Sequence, residues 1–171
     1  NFYLKNIKKQ NIKGNYLKFL PSSGIKLFEV INHNLTEKFI KNYKPDIIHE
    51  TYYSQKKYKT KTKIVCTVYD MINEVYPNFF KNHEQISFTK RETINRADKI
   101  ICISNKTKED LINYFSIDEN KIDVVYLASG FQNNTSMINS KKKYPNHILF
   151  VGSRHGYKNY SNFISAYSKS K

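Results

Sequence analysis

Three apolar runs in this sequence end in side chains able to move a proton or hold a hydroxyl. Asp46-Ile-Ile-His-Glu50 ends in His49 and Glu50, Lys63-Ile-Val-Cys-Thr-Val-Tyr-Asp70 in Tyr69 and Asp70, and Asp98-Lys-Ile-Ile-Cys-Ile-Ser104 in Ser104. A carboxylate accepts a proton from a hydroxyl nucleophile, and a histidine does the same near neutral pH. If the runs are parallel strands, their carboxyl ends fall on one side of a sheet, where open α/β sheets bind ligands. The plainer reading of any one tip is a hydrogen bond to a neighbouring loop, and for Ser104 a helix N-cap.

A second constellation is Gly152-Ser-Arg-His-Gly-Tyr-Lys-Asn159, expected between a strand and a helix. Glycine lets a ligand approach the backbone closely. Arg154 can grip phosphate oxygens in a fork and Lys158 adds a point charge, with the amides of the following helix behind them. The chemistry is that of a diphosphate site, although the string is neither a Walker loop nor G-x-G-x-x-G; the alternative is a turn carrying surface cations. Tyr52, Tyr53, Tyr69, Tyr76, Phe79 and Phe80 cluster around the first two tips, where they can stack on sugar faces or simply pack the loops.

The elements that must position these residues can be read from periodicity. Apolar spacings of three and four from Leu27 to Tyr43 predict a helix, broken near Asn32-His33-Asn34 and stopped by Pro45. Ile47 and Ile48 predict a short buried strand, and residues 63–69 a second. Residues 71–80, with Pro77 and two phenylalanines, read as an ordered loop. A helix is expected over 82–97 with Ile86, Lys90, Ile94 and Ala97 on one side, then a strand over 98–103. A helix follows from Thr107 to Phe115, then a turn, and strands over 122–127 and 147–151. The last helix begins near Phe163. Upstream, residues 2–9 suggest a helix, 12–20 a strand and 21–24 a loop; residues 129–146 read as a linker. Alternating strands and helices predict an α/β fold with a parallel, Rossmann-like sheet.

Composition bounds the function. The chain has 171 residues, 39% of them hydrophobic, enough for one domain and the edge of a second. Lys plus Arg is 29 against 14 for Asp plus Glu, a net charge of +15. The lysines are dispersed, and the abundance of Lys, Asn, Ile and Tyr with little Arg fits a compositional bias better than a nucleic-acid surface. Attraction to an anionic substrate or an acidic membrane is the next reading. No apolar run approaches the ~20 residues of a membrane span, and no leader peptide is visible. Cys66 and Cys102, inside apolar runs, read as buried free thiols of a reducing compartment. No zinc spacing occurs, and no metal site is expected.

Several strings together resemble family 4 glycosyltransferases. Thr67-Val-Tyr-Asp-Met-Ile72 with Tyr76, Pro77 and Phe80 is similar to part of their N-terminal domain. So are Ala97-Asp-Lys-Ile-Ile-Cys-Ile-Ser-Asn-Lys-Thr-Lys-Glu-Asp-Leu111 and Lys121-Ile-Asp-Val-Val-Tyr126. Phe150-Val-Gly-Ser-Arg154 with Tyr157-Lys-Asn159 resembles the opening of their C-terminal domain. The resemblance spans about residues 45–165 and is nearest to mannosyltransferase-like members that build bacterial surface polysaccharide.

It implies the GT-B architecture, two Rossmann-like domains facing a cleft. Residues 1–135 would be the N-terminal, acceptor-side domain, 136–146 a linker, and 147–171 the start of the C-terminal domain. It implies transfer of a hexose such as mannose, with retention, from a nucleotide diphosphate sugar to a glycan or lipid-linked acceptor. Neither metal nor other cofactor is implied. Gly152, Arg154 and Lys158 would bind the donor diphosphate; Asp70 and His49 are the catalytic candidates; Glu50, Tyr52, Tyr69 and Ser104 would face the acceptor. Tyr69 stands where many members carry His. The Glu-rich donor motif would lie beyond Lys171 and the first strand before Asn1, which predicts a fragment inactive alone. The expected location is the cytoplasm, with peripheral contact to the anionic inner membrane face as one option. The alternative is a non-catalytic domain binding a phosphorylated ligand or nucleic acid.

Overall fold

The structure, a computed structural model, describes residues 25–128 and 147–170. The expected helix at 2–9, strand at 12–20, loop at 21–24 and linker at 136–146 lie outside the described residues. Internal packing divides the chain into one unit of Asn1–Lys44 with Tyr58–Thr60, and another of Pro45–Lys57 with Lys61–Lys171.

In the first unit, α1 (Ile25–Tyr43) is one continuous helix. The break expected at residues 32–34 does not occur. Asn and His cost a helix only tenths of a kcal/mol each, and Leu27, Ile31 and Leu35 keep the spacing through them. Thr36 Oγ1 donates back to the Asn32 carbonyl at 2.7 Å. The helix ends at Tyr43; the next residue, Lys44, takes φ +44° just before Pro45 and donates its amide to the Ile40 carbonyl. His33 stacks on Tyr58 with ring centroids 5.1 Å apart.

The second unit holds a four-stranded parallel sheet in the order β1 (Ile47–Glu50), β2 (Lys63–Val68), β3 (Lys99–Cys102), β4 (Ile122–Val124). Parallel strands need crossovers: α3 (His83–Arg96) lies in the one from β2 to β3 and α4 (Asn105–Phe115) in the one from β3 to β4, while residues 51–62 join β1 to β2 without a helix. The fold is thus the expected α/β, Rossmann-like sheet. Side chains alternate across it. Ile64, Cys66 and Val68 of β2 point to the same face as Ile100 and Cys102 of β3. There they join Ile94, Ala97, Leu111, Phe115 and Ile122 in one buried core. The strand start is fixed by Asp98, whose carboxylate accepts from the Ile64 amide and the Lys63 ammonium, each at 2.8 Å. That pairing holds the Asp98 carboxyl below the usual carboxylate range. The Arg91 guanidinium lies 4.3 Å over the Phe115 ring and links α3 to α4.

Five further expectations need correction. The strand at Ile47 and Ile48 is not buried: among the described residues β1 is an edge of the sheet, and Ile47 is 61% exposed. The strand expected over 122–127 stops at Val124. Its partner β3 ends at Cys102, which pairs with Val124, so the ladder has nothing further to bond after the Val125 amide reaches the Cys102 carbonyl. Residues 147–151 form no strand; Ile148, Leu149 and Val151 are exposed. An apolar run becomes a strand only where a neighbour supplies ladder partners. Residues 71–80, read as a loop, contain α2 (Ile72–Val75) and a 3₁₀ turn, Pro77–Phe79, with proline at a first-turn position. The last helix, α5 (Tyr160–Lys169), begins three residues earlier than expected. Among the described residues no helix is long and apolar enough to cross a membrane.

Candidate functional site

The parallel register puts the carboxyl ends of β1, β2 and β3 on one side of the sheet, but at different heights. Glu50 pairs with Cys66 and Val68 with Cys102. Asp70 therefore lies four residues past the partner of Glu50, about 13 Å along the strand at ~3.3 Å per residue. His49 sits correspondingly low: its Nε2 meets Thr67 Oγ1 at 2.8 Å. The tips share a side of the sheet without converging on one point.

At the top of β2, Asp70 is half-buried. Its Oδ1 accepts from the Ile72 amide at 3.2 Å, starting α2, while Oδ2 has no hydrogen-bond partner among the described residues. One oxygen orients the side chain and the other is available to a hydroxyl. Tyr69 is half-buried beside it, and Tyr52, 67% exposed, lies 6.5 Å away centroid to centroid. Tyr53 packs against Tyr52, and burial pushes its phenol well above the usual range.

Glu50 and Ser104 have structural partners. The Glu50 carboxylate accepts from Arg96 Nε at 3.2 Å and from Arg96 Nη2 at 2.6 Å, and its side chain is 7% exposed. Ser104 caps α4: its Oγ accepts from the Thr107 amide at 3.1 Å. We expect Ser104→Ala to lower the urea midpoint by an amount worth about 1 kcal/mol, with Ser104→Gly costing only a few tenths; equal losses in the two variants would contradict the capping role.

Sequence reasoning missed the groups that hold these tips. α3 presents Lys90, Thr93 and Arg96 to the sheet side. Lys90 is fully buried and ion-paired to Glu74 at 2.6 Å. Thr93 Oγ1 accepts from the Ser54 amide and lies within bonding distance of the Ser54 carbonyl, anchoring the loop after β1. The available signal was a lysine in the inward row Ile86, Lys90, Ile94, where an apolar residue is the norm.

The glycine turn is built as its spelling suggests. Gly152 has φ +145° and Gly156 φ +71°, conformations that favour glycine. A 3₁₀ turn, Gly156–Lys158, leads through Asn159, at φ +56°, into α5. The Arg154 guanidinium lies 5.5 Å from the Tyr160 ring centre and the Lys158 ammonium 4.9 Å from that of Tyr157. Both cations are exposed, and no carboxylate pairs with either among the described residues. Beside the turn, Ile72, Tyr76, Phe79, Phe80, Tyr157 and Asn162 line a cavity of about 520 Å³. This size is ordinary for a small-molecule site. Phe80 and Tyr157 touch across it, 5.3 Å between centroids. The aromatic residues thus divide into two sets, one over the β2 tip and one lining this cavity.

Among the described residues no three His, Cys, Asp or Glu side chains are grouped to hold a metal ion.

Comparison with known proteins gives a family and a structural likeness. The model of the family described as Glycosyltransferase Family 4 matches residues 7–128. No curated protein matches the chain. Among solved structures, the chain is similar to a glycosyltransferase from Rickettsia africae ESF-5, 23% identical, with a TM-score of 0.35. That match covers 67% of this chain and 28% of the Rickettsia one, so the chain spans under a third of that relative's length.

Proposed function

We propose, since this chain belongs to glycosyltransferase family 4, that it forms part of an enzyme moving a hexose such as mannose from a nucleotide diphosphate sugar to a glycan or lipid-linked acceptor, with retention. The observation that carries the donor assignment is the pair of exposed, carboxylate-free cations, Arg154 and Lys158, on a turn whose glycines hold positive φ. Two positive charges there would neutralise the diphosphate as it leaves. Gly152 leaves the backbone open; a Cβ in its place would come within 3.7 Å of the Lys158 side chain. On the acceptor side, Asp70 is the first candidate to hold the attacking hydroxyl, through its unpartnered Oδ2, with Tyr69 and Tyr52 nearby as sugar-contacting rings. His49 is the second catalytic candidate. A role for Glu50 or Ser104 toward the acceptor would come in addition to the bonds they already make. Bacterial surface polysaccharide as the product, and the cytoplasmic membrane face as the place of work, belong to the same reading.

The test is sugar transfer by the full-length protein from a panel of nucleotide diphosphate hexoses. Losing one charged hydrogen bond costs roughly 1.5–3 kcal/mol. Arg154→Ala and Lys158→Ala should therefore each lower kcat/KM for the donor about 10- to 150-fold. Parent-like rates in both variants would remove the diphosphate assignment.

The net charge of +15 supports a second reading, a domain that binds a phosphorylated ligand or nucleic acid without transfer. It predicts a steeply salt-dependent gel shift with DNA or RNA that persists when nucleotide sugar is added.

A further inference from the structure

The Lys90 ammonium makes three directed contacts. It donates to Glu74 Oε2 at 2.6 Å, to the Asp70 carbonyl at 2.9 Å, and to Met71 Sδ at 3.8 Å. The Tyr53 ring covers it, its centre 5.3 Å from Nζ. An ammonium has three protons to place, and all three are placed on one turn of chain. Glu74 is equally committed, since its other oxygen, Oε1, accepts from Ser87 Oγ at 2.6 Å. The two charged side chains are 1% and 4% exposed. α3 thus reaches across to the segment after β2 and grips it twice, at Asp70 ahead of α2 and at Glu74 within it.

A buried ion pair is an expensive way to obtain stability. Taking both charges out of water costs about what their attraction returns, and well-packed apolar pairs of similar size commonly do as well or better. What an apolar pair lacks is direction. Methionine and leucine would fill the space around Met71 and Tyr53, but neither would hold the Asp70 carbonyl at a set distance from Glu74. The hold adds to the Asp70 Oδ1 bond with the Ile72 amide and to the burial of Met71 and Asn73. α2 is a single four-residue turn with no side-chain cap, too short to persist on helix propagation alone.

We infer that Lys90 is a positioning residue: with Glu74 it fixes the main chain after β2, and so sets where the Asp70 carboxylate and the rings of Tyr76 and Phe79 are presented. The inference rests on the reading of Asp70 as an acceptor-side group, and its structural half stands apart from that reading.

The experiment uses the full-length protein, the double variant Lys90→Met/Glu74→Leu, and the milder Ser87→Ala, which frees one oxygen of Glu74 without removing a charge. Amide hydrogen exchange is read at Ile72, Val75 and Tyr76, whose amides donate to Asp70 Oδ1, the Met71 carbonyl and the Ile72 carbonyl. In the double variant these amides should exchange at least about tenfold faster while β2 and β3 keep parent protection; in Ser87→Ala they should speed up severalfold. Transfer by the double variant should fall about tenfold or more in kcat per folded molecule with the donor KM unchanged; an unfolded fraction would lower apparent kcat in the same way, and it is excluded by the parent protection of β2 and β3. Unchanged exchange at those amides in both variants overturns the positioning role. Loosened amides with parent kcat overturn its link to transfer. If the parent transfers no sugar from any donor, it is the proposed function that fails, and the exchange data still decide whether Lys90 positions the turn.

Discussion

Replacing Arg96 by methionine lowers the stability of the fold by about 3–5 kcal/mol, measured as a fall in the urea midpoint at constant slope. The guanidinium is the hub of the loop after β1. Besides its fork on Glu50, Nη2 donates to the Ser54 carbonyl at 2.8 Å and Nη1 to the Glu92 carbonyl at 3.1 Å. The side chain is 12% exposed and that of Glu50 7%. Removing it leaves a carboxylate in a dry site with no counter-charge, and that uncompensated desolvation is the large term. Removing both charges, as Arg96→Met/Glu50→Leu, should restore most of the loss. Other ion pairs of the chain set the contrast. Lys57 with Glu92 and Lys63 with Asp98 are solvated, with lysines 62% and 73% exposed, so water and salt screen them and each contributes little. A loss below 1 kcal/mol for Arg96→Met would place the Glu50 pair in that solvated class.

Leu111→Ala should cost a similar amount, about 2.7–5 kcal/mol, through a cavity instead of a stranded charge. Leu111 is fully buried on α4, in the core it shares with Ile100, Cys102 and Ile122. Its neighbours are strand residues held in register by β2 and β4, so the gap cannot close by a small shift, which favours the upper part of the range. Leu127→Ala, at a side chain 66% exposed, serves as the control and should stay within about 0.5 kcal/mol of the parent. Denaturant titration separates the two, and comparable losses at both positions would contradict the placement of the core.

These two sites also show what the sequence could reveal. The strands, their polar tips and the Ser104 cap were legible because each is written locally, in an alternation or in a serine ahead of a helical run. The glycine turn was legible for the same reason, since positive φ selects its residues. The ion pairs were not. Glu50 and Arg96 are 46 residues apart and Glu74 and Lys90 are 16 apart, and nothing local distinguishes a lysine bound for the interior from one bound for solvent. Burial of β1 was misjudged because an edge strand and a central one share the same apolar spelling, and a strand at 147–151 was expected because pairing is a property of two segments. His49 and Asp70 looked equivalent as tips; only the register, which pairs His49 with Val65, showed one to be five residues lower than the other. For the candidate site, residue types were readable, but which carboxylate is spoken for and which keeps a free oxygen was a matter of tertiary contact.

The two cysteines, finally, equip the molecule with its own reporter. Cys66 and Cys102 are wholly enclosed on the sheet face beneath α3 and α4. Burial pushes the Cys66 thiol up to about 12, helped by the nearby Glu50 charge, and the Cys102 thiol up to about 11. At neutral pH neither is a nucleophile in the closed fold. Each becomes one as soon as a helix lifts, so the rate at which a thiol reagent consumes them clocks that opening. Two sulfurs on neighbouring strands thus turn the breathing of this layer into a chemical signal that needs no added label.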